Sequence, residues 1–161
     1  MTVDAVFAVG DWIVHNAYGV GQIKKIEKKP IHGEKIRAFR VKVKDGFYWL
    51  PLKRADNPRV RRVVTKRKLN RALRMITRKP KKMAKNYKAR NKRIKKDLES
   101  GSIYKMARLM RDLLALRKTK KWNNTEKDAF DRMMELFARE CSVCYDMPIE
   151  DGRAKIAEVI A

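Results

Sequence analysis

Carboxylates are scarce in this chain. Its 161 residues hold 18 Asp and Glu against 42 Lys and Arg, a formal net charge of +24. Such an excess repels itself in a folded state, and a polyanionic partner is the simplest reason for it. The shortage also argues against acid–base catalysis, because residues 1–121 carry only 9 acidic side chains. Metal ligands are few as well: two histidines, His15 and His32, and two cysteines, Cys141 and Cys144. A zinc site needs about four ligands. Cys141-x-x-Cys144 lies far in sequence from both histidines, and Cys141 continues an apolar helical stripe, so the pair reads as packing. There is no Gly-x-Ser-x-Gly, no phosphate-cradling glycine-rich loop and no His-Glu pair at metal spacing. No catalytic residue, metal or cofactor is expected. Nor is there a run of about 18 apolar residues to span a bilayer, or a basic region followed by an apolar run at the start. These absences lead to the expectation of a cytoplasmic, non-enzymatic protein with reduced cysteines and no membrane contact.

What is abundant is unevenly placed. Hydrophobic residues make up 44% of the chain, enough for real cores. The positive charge concentrates in the middle: residues 61–121 carry 25 Lys and Arg against 3 acids, whereas residues 122–161 carry 5 against 9. Residues 7–64 read as short strands. Val9, Trp12, Val14, Val20, Ile23 and Ile26 are spaced by Gly and polar residues. Arg37 to Val43 alternates charged and apolar residues with period two. Asp45-Gly46 then reads as a two-residue hairpin turn with φ > 0 at both positions. Tyr18-Gly19 and His32-Gly33 supply further turns, Pro51 closes a fourth strand, and 60–64 reads as a fifth. Five short strands in so few residues suggest a small, strongly bent sheet or barrel.

After Thr65 the period changes. Leu69, Leu73 and Ile76 mark a helix with Thr65 as N-cap and Pro80 as stop. Ile103, Met106, Met110, Leu113 and Leu114 mark another, entered through Ser100-Gly101-Ser102. Thr125-Glu126-Lys127-Asp128 resembles a capping box, opening a helix with Phe130, Met133, Met134, Phe137 and Cys141. Met147-Pro148 begins a last one with Ile149, Ile156 and Ile160. The expected class is α+β, a small β-barrel over residues 1–64 followed by an all-α bundle over 65–161.

Between the first two helical stripes lies Arg78 to Lys96, which holds no acidic residue and few apolar ones. A run with no offsetting charge before Asp97 suits phosphates better than it suits mere solvation. Lys85, Lys88, Arg90, Lys92 and Arg93 are the candidate phosphate contacts. Tyr87 is the single aromatic inside the run. It either stacks on or wedges between bases, or packs on the bundle edge with its hydroxyl in water. In the β-region Phe47, Tyr48 and Trp49 are consecutive, so at least one ring faces outward. An outward ring suits a protein partner, and a helix of the second region covering it is the other reading.

Phe7-Ala8-Val9-Gly10-Asp11-Trp12-Ile13-Val14-His15, followed by Tyr18-Gly19-Val20-Gly21-Gln22-Ile23, resembles the opening of the CarD/CdnL family of bacterial transcription regulators. The likeness continues through Ile31-His32-Gly33-Glu34, Leu50-Pro51, Asp97 to Ser102 and Met106 to Leu113. It spans nearly the whole chain in the same domain order. The β-motif alone also occurs in transcription-repair coupling factors, but no helicase motor follows here. The resemblance implies a Tudor/SH3-like β-domain that docks on the RNA polymerase β subunit. It also implies a helical domain that contacts promoter DNA, largely regardless of sequence, at the upstream edge of the bubble and stabilises the open complex. Tyr87 falls where the family commonly carries a Trp, and Arg90 and Lys92 fall among its basic DNA-contacting positions. Lys29 and Ile31 match a basic and an apolar polymerase contact, and Trp49 stands where a second basic contact is usual. The chain is expected to act as a monomer. An RNA- or ribosome-associated basic protein and a non-specific nucleoid protein are the competing readings.

Overall fold

The computed structural model describes residues 6–161, and its contacts divide the chain between Val63 and Val64. The first unit is a five-stranded antiparallel sheet in the order β4-β3-β2-β1-β5. Its strands are β1 (Trp12–His15), β2 (Gly19–Ile31), β3 (Glu34–Val43), β4 (Gly46–Pro51) and β5 (Val60–Arg62). β5 is shorter than the expected span, ending two residues before 64. The turns follow backbone chemistry. Ile31 pairs with Glu34, which leaves His32 and Gly33 as the loop, at φ 52° and 81°. That is the paired positive φ that matches a tight turn to the twist of its strands. The β3–β4 turn differs from expectation. Val43 pairs with Gly46, so Lys44-Asp45 forms the loop and Gly46 opens β4 with φ 155°. Asp45 does not take positive φ, because the glycine after it absorbs the unusual conformation.

Alternation along the strands sorts the side chains onto two faces. Ile13, Ile23, Phe39, Val41, Tyr48 and Leu50 fill one face, together with Phe7, Ala55 and Val60. A register shift between Ile23 and Lys25 marks a bulge in β2, which resets which of its residues face the core. Val9 and Trp12, apolar in the sequence pattern, are exposed.

The second unit is helical: α1 (Lys66–Ile76), α2 (Tyr87–Glu99), α3 (Ile103–Arg117), α4 (Asn124–Cys144) and α5 (Ile149–Ile160). Each of the first four starts on a side-chain cap. Thr65, Asn86, Ser102 and Asn123 accept from backbone N–H groups that have no partner inside the helix. The capping box of α4 sits two residues before the expected one. Asn123 accepts from the Glu126 N–H at 2.8 Å, and Glu126 accepts from the Asn123 N–H at 3.1 Å. Glu126 reaches back where Asp128 could not, which fixes the start of the helix. Leu69, Leu73, Leu109, Leu113, Met133 and Phe137 lie at the centre of the core. Cys141 is fully buried in it, and the Cys144 thiol donates to the Val64 carbonyl at 2.7 Å. Burial raises both thiols, Cys144 to about 11, so neither is a thiolate at neutral pH. α5 lies close on α4, since a Cβ at Gly152 would run into the Ala138 carbonyl.

Candidate functional site

The basic run does not form one continuous helix. After α1 the chain passes through residues 79–84 without regular structure, and Asn86 then caps α2. Tyr87 is therefore the first residue of a helix, at the end of an extended segment. Its side chain is 56% exposed, and no hydrogen bond or ring contact engages it among the described residues. Lys85, Lys88 and Lys92 are exposed around it.

One member of the run belongs to the interior instead, and a second is tied to two carboxylates. Arg90 is 2% exposed, so the expectation that it contacts phosphate is corrected. Its Nε lies 3.2 Å from the buried Glu126 carboxylate, and its Nη1 donates to the carbonyls of Ala84 (3.1 Å) and Lys85 (2.7 Å). A guanidinium buried without such partners would be prohibitively costly. Here it ties α2 to α4 and holds the turn from which Tyr87 projects. Arg93 is half-buried and engages Asp97 at 3.3 Å and Asp112 at 2.8 Å. Asp112 is the second anchor of the segment. It accepts from the Lys81 N–H at 2.8 Å and from Arg111 at 2.9 Å as well as from Arg93. Burial raises the Asp112 carboxyl, but the hydrogen bonds from Arg111, Lys81 and Arg93 outweigh it and hold the group below the usual carboxylate value.

The structure also gathers cations that the linear run does not contain. Lys105 and Arg108 of α3 join Lys92, Arg93 and Lys96 of α2 around a concavity of about 500 Å³. Their sequence signal is the i, i+3 spacing on the helix face away from Met106 and Met110. Beyond α3, Arg117, Lys118, Lys120, Lys121 and Lys127 surround Trp122, with the Arg117 guanidinium 4.8 Å from the indole ring. Three cationic surfaces thus lie on one helical unit, and its exposed cations greatly outnumber its exposed carboxylates.

In the sheet unit the register places Lys29, Ile31 and Trp49 on the same face. Lys25, Glu27, Lys29 and Ile31 of β2 stand opposite Arg40, Ala38, Ile36 and Glu34 of β3, and Arg40 stands opposite Trp49. The Lys29 ammonium sits 3.0 Å from the centre of the Trp49 ring, a cation–π pair. The indole N–H donates to Glu27, which also holds Lys25 at 3.1 Å. These hydrogen bonds, that of Trp49 first, hold the Glu27 carboxyl below its ordinary value. Phe47 is 43% exposed on the same face, and the Arg40 guanidinium lies 4.0 Å from its ring centre. Of the three consecutive aromatics only Tyr48 turns inward, where it stacks on Tyr18 at 4.6 Å. Glu27 and Arg40 complete the face and were not singled out by sequence, whereas Phe47 was, as one of the three consecutive aromatics. Phe47 is legible in the alternation, whereas Glu27 needs the bulged register.

Among the described residues no group of three or more His, Cys, Asp and Glu could hold a metal ion, and no helix is long and apolar enough to cross a membrane. Residues 7–64 match the family model described as CarD-like/TRCF RID domain, and residues 71–157 match that described as CarD, C-terminal domain. No curated protein sequence matches the chain. The first match ends one residue past the division between the sheet and helical units, and the second lies wholly within the helical unit.

Proposed function

The chain belongs to the CarD-like family of RNA polymerase-interacting transcription factors, with a Tudor-like first unit, and from this we propose how its two units share the work. The sheet unit holds the polymerase β subunit through the face that carries Lys29, Ile31 and Trp49. The helical unit holds promoter DNA at the upstream edge of the bubble. Lys85, Lys88 and Lys92 engage phosphates, and Tyr87 enters the minor groove. The protein performs no catalysis of its own. It acts by making bubble closure slower.

One observation carries the DNA half of this reading: an exposed tyrosine at the start of a helix, anchored from behind and flanked by lysines that make no ion pairs among the described residues. Phosphate contacts supply affinity without sequence preference. A ring inserted between bases costs a few kcal/mol of unstacking per step, which is least where stacking is already broken, at a melted junction. The ring must then leave before the bubble can close. On the sheet face, paired aromatics and cations present an apolar surface rimmed with positive charge, which suits a protein partner. Trp49 widens the apolar part of that surface where the family usually has a second cation, so its contribution is area and not charge.

Co-elution of the full-length protein with polymerase core enzyme tests the division of labour. Lys29→Glu combined with Trp49→Ala is expected to abolish co-elution and to leave duplex binding unchanged. Lys85→Glu combined with Lys88→Glu is expected to do the reverse. If the second pair abolishes co-elution and the first does not, the assignment of the two faces is wrong.

A further inference from the structure

The helical unit also contains a groove that DNA contact does not use in full. It measures about 510 Å³ and lies between the segment from Pro80 to Lys85 and the C-terminal end of α3. Its size falls within the range of small-ligand pockets, roughly 300–1,000 Å³. Met83, buried, and Ala115 and Leu116, half-buried, give it an aliphatic wall. Lys81, Lys82, Lys85 and Lys120 line it as exposed side chains. No aromatic ring is among its lining residues.

The negative groups nearby are already occupied. Asp112 lines the groove, but its oxygens accept from Lys81 N–H, Arg93 and Arg111. The carbonyls that end α3 are also used. Ala115 accepts from the Lys118 N–H, Leu116 from those of Thr119 and Lys120, and Leu113 from the Trp122 indole. An anion entering here meets ammonium groups and not bare acceptors. A DNA phosphate would satisfy the lysines and leave the aliphatic wall wet. A ligand with an apolar body satisfies both. The lack of a ring removes the stacking that would select a nucleobase.

We propose that this groove binds a single aliphatic chain bearing an anionic head, free in solution, with the head among Lys81, Lys82, Lys85 and Lys120 and the chain against Met83, Ala115 and Leu116. The recess lies between two segments of the chain, so a lipid would have to leave its bilayer to fill it.

Amide NMR of the full-length protein during titration with decanoate, below its micelle-forming concentration, tests the site. Saturable shifts concentrated in residues 80–85 and 115–120 are expected. Decanol, which lacks the charge, should bind about tenfold more weakly. Lys82→Glu with Lys120→Glu, both exposed and so harmless to the fold, should weaken decanoate by at least about tenfold. Leu116→Gln should weaken it as well, with the remaining spectrum serving as the check that the fold is intact. Shifts that do not saturate, equal binding of decanol, or indifference to the double charge reversal would each overturn the proposal. So would binding to phosphatidylglycerol vesicles without any response to decanoate, since that result would reduce the groove to surface electrostatics.

Discussion

A lysine and an arginine in one basic run can have opposite fates, and Arg90 and Lys92 illustrate it. Both read as phosphate contacts in the sequence. Lys92 remains exposed, whereas Arg90 is sealed against Glu126, 36 residues downstream. No local pattern announces that partner, because Glu126 signals only as a capping residue. The planar fork of arginine serves one carboxylate and two carbonyls at once, which lysine's ammonium would do poorly. Arg90→Met should therefore destabilise the protein by about 3–5 kcal/mol, because it strands a buried carboxylate. Adding Glu126→Gln removes the stranded charge, keeps an acceptor for the Asn123 N–H, and should restore about half of the loss. Urea unfolding of the two variants checks both numbers, and a single variant no less stable than the parent would mean that Glu126 finds another partner. Tyr87 was fully legible as an isolated aromatic among cations. Its exposure of 56% fits both readings, a ring free to meet bases and a ring on the bundle edge with its hydroxyl in water.

The element that matters most is the stretch from residue 79 to the start of α2, which has no helical hydrogen bonds of its own. It is held by side chains from elsewhere: Asp112 on the Lys81 N–H, and Arg90 on the carbonyls of Ala84 and Lys85. The sequence showed that the periodic pattern stopped at Pro80 and resumed later. It could not show where α2 starts, because Asn86-Tyr87 lies within a run of one charge and the moment of a nearly all-polar helix is weak. Elsewhere the elements were legible where apolar spacing was strong, as in α1, α3 and α4, and turn details slipped by one or two residues, as at Lys44-Asp45 and Asn123. The Asp112 anchor gives the element a pH dependence. Its folded carboxyl is held below the unfolded value of 3.8, so its stabilisation is complete above that pH and is lost as pH falls through the lower folded value. Asp112→Asn keeps an acceptor for Lys81 but loses the ionic bonds to Arg93 and Arg111. It should cost roughly 2 kcal/mol at pH 7 and show a shallower loss of stability in acid than the parent. Thermal unfolding from pH 7 to pH 2.5 reads both effects, and parallel curves for the two proteins would remove Asp112 from the account.

At the scale of the molecule the charge map and the fold divide at the same place. The sheet unit is mildly basic and ends at Val63, while the excess of cations lies in the helical unit that follows. That asymmetry and the change of hydrophobic period made the two-part α+β organisation readable from sequence. The grouping of Lys105 and Arg108 with α2, and of Glu27 with Trp49, needed the three-dimensional register. On the proposed reading, a helical unit bound mainly by phosphates should bind DNA weakly by itself, and attachment to polymerase would raise the local DNA concentration enough for a weak contact to act. Each neutralised phosphate steepens the salt dependence by about 0.9. Replacing Lys85, Lys88 and Lys92 with Gln should therefore flatten the slope of log K against log salt by roughly 2–3, measured by fluorescence anisotropy on a mixed-sequence duplex. An unchanged slope would assign the contacts to the other cationic surfaces. The central claim concerns the lifetime of the melted promoter, and competitor-challenged decay of open complexes on one promoter measures it directly. Base–aromatic stacking is worth about 1–3 kcal/mol, so Tyr87→Ala should shorten the lifetime roughly tenfold while leaving co-elution with polymerase intact, and Tyr87→Trp should preserve or lengthen it. An alanine variant whose complexes decay at the parent's rate would contradict the account and leave the helical unit holding DNA by charge alone.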